Sequence, residues 1–155
     1  MRDIRSIKAA VFDLDGTLLD STAAWEGLGE RYLAGRGITP EPGLDEKLRC
    51  MALPDGSAYL KSAYSLPEPP DEILRDILRG IEEFYLSECQ LKHGAQELLG
   101  LLSRRGVGIS AATAGDERLA RAALERLGVL GYFSALLTCE GYGGKDKPDI
   151  FLNAA

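Results

Sequence analysis

The stretch Lys8-Ala-Ala-Val-Phe-Asp13-Leu-Asp15-Gly16 decides the predicted fold. A short apolar run that ends in a glycine-containing turn predicts a buried strand followed by a loop. The side chains of Asp13 and Asp15 are two positions apart, so they face the same way in extended chain. Because ligand sites in open parallel sheets lie beyond the carboxyl ends of the strands, we expect both carboxylates to enter one crevice beside the backbone N–H groups of the turn.

The spacing of these two carboxylates suggests metal-assisted chemistry. Asp13 and Asp15 should repel each other unless a cation lies between them, and hard oxygen ligands suit Mg²⁺. With the repulsion shielded, one carboxylate can attack phosphorus while the other moves the proton. The alternative is a calcium loop or a plain turn, but the Leu18-Leu19 continuation lacks the further acids that a calcium loop needs.

The middle of the chain predicts helices only. Apolar residues at helical spacing, including Trp25, predict a helix from Ser21 to Arg36 with Trp25 packed on its apolar face. Another is expected around Asp45 to Leu53. Pro54-Asp55-Gly56 should break the chain before a helix from Ser57 to Tyr64, and an isoleucine stripe predicts the strongest helix from about Asp71 to Glu88.

Strands and helices alternate in the returning segment. Helices are predicted at Ala95 to Arg104 and around Leu119 to Leu127, and short strands at Val107 to Thr113 and Ala135 to Thr138. This alternation implies a parallel sheet with right-handed crossovers. We therefore predict an α/β protein: a Rossmann-like core from residues 1–20 and 91–155, with an α-helical cap inserted at 21–90.

Composition excludes several classes of partner. The 155 residues carry a formal net charge of −6 with a sequence pI near 4.9, whereas nucleic acid or an anionic membrane surface requires a concentrated basic surface. Cys50, Cys89 and Cys139 lack the paired spacing of a zinc site and indicate reduced thiols. Without an apolar run that could span a bilayer, or an h-region behind the first residues, a cytoplasmic location is expected.

The run Asp13-Leu14-Asp15-Gly16-Thr17-Leu18-Leu19-Asp20-Ser21 resembles the first motif of the haloacid dehalogenase-like superfamily, in the branch that includes β-phosphoglucomutase and phosphoglycolate phosphatase-like enzymes. The resemblance implies that Asp13 is a nucleophile forming an aspartyl-phosphate and that Asp15 is the general acid and base. It also implies that the Asp13 side chain and the Asp15 carbonyl bind Mg²⁺, and that the N–H groups of Leu14 and Gly16 bind phosphate. The second Asp favours phosphate over carbon–halogen chemistry.

Two further motifs of that superfamily have counterparts here. Thr113 stands at the end of the second predicted strand, where its hydroxyl and the N–H of Ala114 would bind phosphate oxygens; the alternative is a threonine that caps the next helix. Gly144-Lys145-Asp146-Lys147-Pro148 supplies the phosphate-binding lysine. We favour Lys145, with Lys147 as the alternative, and a solvated surface lysine is the default without the other motifs.

The fourth motif of the superfamily, an acidic cluster that completes the Mg²⁺ site, is expected some tens of residues beyond Ala155. On this sequence the metal site should be incomplete, and the first strand should form an exposed apolar edge prone to self-association. The favoured function is a Mg²⁺-dependent phosphatase acting on a small phosphorylated metabolite. The alternatives are a sugar-phosphate mutase with the same residues and a catalytically inactive fragment or pseudoenzyme.

Overall fold

A computed structural model describes residues 7–138, and these fall into two compact units. The first unit contains the chain up to Ser21 and from Tyr85 onward, and the second contains Thr22–Phe84. The corresponding boundaries in the sequence prediction lie after residues 20 and 90. The segment 85–90, which the prediction assigns to the cap, thus groups with the α/β unit.

The α/β unit is built on a parallel three-stranded sheet of order β1-β2-β3. Its strands are β1 (Ala9–Asp13), β2 (Gly108–Thr113) and β3 (Ala135–Thr138). The central strand β2 is the most buried, with Ile109, Ala111 and Ala112 almost wholly inaccessible, because both its neighbours shield it. Within the described residues β1 forms one edge of the sheet. The predicted α/β class with a parallel sheet is confirmed.

Two amphipathic helices pack on this sheet. They are α6 (Ala95–Arg104), which contacts β2, and α7 (Glu117–Arg126), which contacts β3. Each buries apolar side chains at helical spacing, among them Leu99 and Leu124, which are inaccessible to solvent. These helices connect the strands in the alternating order that a parallel sheet requires, and they bring the carboxyl ends of β1 and β2 to the same edge.

The second unit is all helical. Its helices are α1 (Thr22–Trp25), α2 (Leu28–Ala34), α3 (Leu44–Leu48), α4 (Leu53–Tyr64) and α5 (Pro70–Glu83). The isoleucine stripe of α5 is buried as predicted, through Ile73, Ile77 and Ile81. Pro70 lies at the start of that helix, where the backbone needs no amide hydrogen. Two acidic residues in the first turn stabilise the helix because their negative charge lies at the positive end of its dipole.

Three local predictions in the helical unit are wrong. The predicted helix from Ser21 to Arg36 is two helices, because Gly27 adopts a left-handed conformation with φ of 63° that interrupts the first run. Trp25 is 46% exposed, so it is not buried on an apolar helix face. Pro54 does not break the chain but lies in the first turn of α4, which therefore begins at Leu53.

The chain returns from the helical unit through a π-helical turn, Phe84–Glu88, where a single continuous helix is predicted. The segment that follows this turn lies beside residues 18–20 of the loop after β1. Asp20 donates its N–H to the Gln90 carbonyl at 2.8 Å, and the Lys92 ammonium lies 2.5 Å from the Asp20 carboxylate. No helix within residues 7–138 has the length and apolar character needed to cross a membrane.

Candidate active site

The carboxyl ends of β1 and β2 bring three of the predicted site residues together. Asp13 is the last residue of β1 and pairs in register with Ala112, so Thr113 is the next residue of the neighbouring strand. Asp15 follows two residues after the end of β1, and the Thr113 hydroxyl donates a hydrogen bond to its Oδ2 at 2.9 Å. The two strand ends therefore form one polar site.

Asp15 accepts hydrogen bonds from hydroxyl groups on both of its carboxylate oxygens. Its Oδ1 receives the Ser21 hydroxyl at 3.0 Å and the Tyr85 hydroxyl at 2.5 Å, while Oδ2 receives Thr113. All three donors are buried. Since a buried hydroxyl group without a partner is costly, the carboxylate and the three donors satisfy one another.

The loop that follows β1, residues 14–19, is a tight turn that glycine permits. The Leu14 carbonyl accepts hydrogen bonds from the N–H groups of the three residues 17, 18 and 19, and Gly16 has φ of 72°. The Gly16 N–H donates to the Leu19 carbonyl at 2.9 Å and to the Ser21 hydroxyl at 3.2 Å. The side chain of Asp13 accepts a hydrogen bond from the Thr17 hydroxyl at 3.0 Å.

The segment after β2 is shaped around Thr113. The Thr113 hydroxyl accepts a hydrogen bond from the Gly115 N–H at 2.9 Å, and Ala114 between them is exposed. A Cβ atom added at Gly115 would lie 3.1 Å from Asp15 Oδ2, which is a tight contact. Asp116, not Thr113, caps α7, because its carboxylate accepts the N–H groups of Arg118 and Leu119. The alternative role of Thr113 as a helix cap is therefore wrong.

A nucleophilic cysteine does not fit this site. Burial raises the pKa of the Cys89 thiol to about 11, although the nearby Arg126 guanidinium acts in the opposite direction. At neutral pH the thiol is protonated and therefore a poor nucleophile.

Among residues 7–138 there is no cluster of three or more histidine, cysteine or acidic side chains that could hold a metal ion.

The sequence profile of the haloacid dehalogenase-like hydrolases matches residues 7–155, nearly the whole chain. The chain belongs to this family. The resemblance drawn from the first motif is thereby confirmed.

The haloacid dehalogenase-like chain is also similar to curated proteins and to solved structures. It is 27% identical over 147 residues to an N-acetylmuramic acid 6-phosphate phosphatase of Pseudomonas putida, covering 92% of this chain and 64% of that protein. It is 26% identical to a β-phosphoglucomutase of Mycobacterium bovis, and this match covers 96% of this chain and 68% of that protein. A solved structure from Thermotoga maritima matches this chain with a TM-score of 0.84 at 20% identity, and the match covers 96% of this chain and 69% of that chain. The chain thus spans just under two thirds of the phosphatase.

The structure of this haloacid dehalogenase-like chain brings the predicted site residues Asp13, Asp15 and Thr113 together. Lys145 and Lys147 lie outside the described residues. Conversely, sequence reasoning missed the contacts of Tyr85 and Ser21 with Asp15. The pattern places Ser21 at the start of one predicted helix and Tyr85 within another, from about Asp71 to Glu88. No local pattern therefore indicates the hydrogen bond of Tyr85 to a residue 70 positions away.

Proposed function

We propose that the protein hydrolyses a small phosphate monoester through an aspartyl-phosphate on Asp13, with Asp15 as general acid and base. The observation that carries the proposal is the meeting of both aspartates with Thr113 at the carboxyl ends of two adjacent parallel strands. Membership of a hydrolase family and similarity to a sugar-phosphate phosphatase support the same class of reaction.

The chemistry proceeds in two steps in this proposal. A carboxylate oxygen of Asp13 attacks phosphorus, and the bond from phosphorus to the leaving-group oxygen breaks as Asp15 donates a proton to that oxygen. Water then attacks the aspartyl-phosphate while Asp15 accepts its proton. Free orthophosphate leaves, and both aspartates return to their initial states.

The donor set fits Mg²⁺ in kind. The Asp13 carboxylate and the Asp15 carbonyl are hard oxygen ligands, and they would hold the ion as part of a near-octahedral shell. The bound ion supplies positive charge that offsets the charge of the phosphoryl group and of the two aspartates.

Phosphate binding is assigned to backbone and side-chain donors around the two strand ends. We assign it to the N–H groups of Leu14, Gly16 and Ala114, the Thr113 hydroxyl and Lys145, or Lys147 in its place. The Gly16 N–H donates to the Leu19 carbonyl and the Ser21 hydroxyl, so it must leave these acceptors before it can bind phosphate. A threonine hydroxyl has one hydrogen, which Thr113 gives to Asp15. Thr113 must therefore release Asp15 before it can donate to a phosphate oxygen.

The proposal is tested by steady-state hydrolysis of p-nitrophenyl phosphate by the full-length protein, with Mg²⁺ and with EDTA. We expect turnover that requires Mg²⁺, and Asp13→Asn should abolish it without unfolding the protein because the change is nearly isosteric. Asp71→Asn, a matched change at an exposed position of α5, should leave the rate unaltered. An active Asp13→Asn variant would reject the assignment.

A sugar-phosphate mutase is the second candidate, because one relative carries the name β-phosphoglucomutase. A mutase would return the phosphoryl group from Asp13 to a second sugar hydroxyl. Product analysis separates the two functions. Free orthophosphate supports the phosphatase, whereas an isomerised sugar phosphate with little orthophosphate supports the mutase.

The proposed substrate is a small phosphorylated metabolite, with neither nucleic acid nor a membrane as partner. The net charge of −6 is consistent with this choice, because any anion must be held by local charges. We also place the protein in the cytoplasm, where Cys50 and Cys89 would remain the free thiols that the structure shows. Self-association through the edge of β1 stays a prediction.

A further inference from the structure

The two oxygens of the Asp15 carboxylate have different surroundings. Oδ1 accepts two hydrogen bonds, from Ser21 and Tyr85, and the second of these is the shortest in the site at 2.5 Å. Oδ2 accepts one, from Thr113, and lies beside Gly115, where a Cβ atom would approach to 3.1 Å. Oδ1 is thus an anchored oxygen, while Oδ2 faces the residues that bind phosphate in the proposed function.

Tyr85 is well suited to anchor a carboxylate. Its side chain is 4% exposed, so its hydroxyl donates to a charged acceptor away from bulk water. Hydrogen bonds from a hydroxyl to a carboxylate are short and roughly twice as strong as those between neutral groups. Tyr85 also has fewer rotatable bonds than other long side chains, so its hydroxyl stays where its ring is packed.

The backbone that carries Tyr85 is held separately. Tyr85 lies in the π-helical turn Phe84–Glu88, and π-helical turns are frequent at functional sites. The Arg126 guanidinium of α7 donates to the Tyr85 carbonyl at 3.4 Å and also to the Cys89 carbonyl. Arg126 therefore ties the turn to the helix that follows the Thr113 strand.

We propose that Tyr85 is a positioning residue that fixes Oδ1 of Asp15 and so directs Oδ2 at the reacting atoms. This inference rests on the proposed function. Oδ2 carries the proton that passes to the leaving-group oxygen as its bond to phosphorus breaks. Oδ2 then takes a proton from the water that attacks the aspartyl-phosphate, and Oδ1 keeps its two hydroxyl donors throughout.

The experiment compares Tyr85→Phe with Tyr132→Phe, a matched loss of a hydroxyl in the same α/β unit. The value of kcat/KM is measured with Mg²⁺ for glycerol phosphate and for p-nitrophenyl phosphate. An alkoxide leaving group needs the proton of Asp15 far more than a nitrophenolate does. Tyr85→Phe should lower kcat/KM at least about tenfold for glycerol phosphate and less than about threefold for p-nitrophenyl phosphate. Tyr132→Phe should lower neither.

A second readout does not depend on turnover. The Tyr85 hydroxyl proton should give an exchange-protected NMR resonance downfield of the amides, which disappears in Tyr85→Phe and shifts in Asp15→Asn. Ser21→Ala, which removes the other donor to Oδ1, should lower kcat/KM in the same leaving-group order and covers the case in which Tyr85→Phe does not fold.

The outcomes separate this inference from the function on which it rests. A wild-type protein that hydrolyses neither ester rejects both the proposed function and the role of Tyr85. Hydrolysis with equal losses on the two esters, or with no loss, rejects the role of Tyr85 alone. Absence of the hydroxyl resonance in an active wild type also overturns the anchoring of Oδ1.

Discussion

Replacing Thr113 by valine tests whether the hydroxyl network around Asp15 stabilises the fold. The change keeps the shape of a side chain that is 0% exposed and removes its hydroxyl group. The Gly115 N–H then loses its acceptor and Asp15 loses one of its three hydroxyl donors. A buried group left unsatisfied costs about 1–3 kcal/mol, and a hydrogen bond to a charged group contributes about 1.5–3 kcal/mol. Since the two losses overlap, we expect about 2–4 kcal/mol.

Thr113→Ser is the matched control, because it keeps the hydroxyl and loses one buried methyl group. That loss costs about 1 kcal/mol. Urea denaturation at pH 7 measures both variants, and the slope against urea should stay at its wild-type value if only stability changes. A valine variant as stable as the wild type, or more stable than the serine variant, would refute the reasoning.

Two further predictions concern the helical unit and the third motif. The hydrogen bond from the Arg49 guanidinium and, as the second cause, that from the Gly27 N–H hold the pKa of Asp45 below its ordinary value. The stability that Asp45 provides is therefore present above its unfolded pKa of about 3.9. This stability is lost as the pH falls through the lower pKa of Asp45 in the folded protein. Asp45→Asn should therefore cost about 1 kcal/mol in urea unfolding at pH 7 and nearly nothing near pH 2, and an equal cost at both pH values would contradict this. Lys145→Ala should cost at least about 2 kcal/mol in transition-state stabilisation, measured from kcat/KM, and Lys147→Ala far less; the reverse ranking moves the role to Lys147.

The sequence predicted the strands and their polar ends well because those signals are local. The run before Asp13 is apolar and ends in a glycine turn, and β2 and β3 end at the predicted residues Thr113 and Thr138. Parallel pairing then places the ends of adjacent strands together whatever their separation along the chain. The proximity of Thr113 to Asp15 follows from that rule once β1 and β2 are neighbours in the sheet.

The features that sequence reasoning missed depend on tertiary context. A single glycine such as Gly27 is compatible with a helical pattern in the sequence. Only its left-handed φ in the structure shows that the helix is interrupted there. Pro54 can either end a helix or begin one, and its position in the first turn of α4 decides which. Tyr85 occupies an apolar position of a helical stripe, so its hydroxyl bond to Asp15 required the three-dimensional arrangement.

The proposed mechanism requires that Asp13 carry the phosphoryl group during turnover. The most direct measurement is an acid quench of the protein during hydrolysis, followed by borohydride reduction of the acyl-phosphate and peptide mass mapping. We expect homoserine at position 13 in the wild type and none in Asp13→Asn. Homoserine at another aspartate, or turnover with no modified residue at any time after mixing, would contradict it.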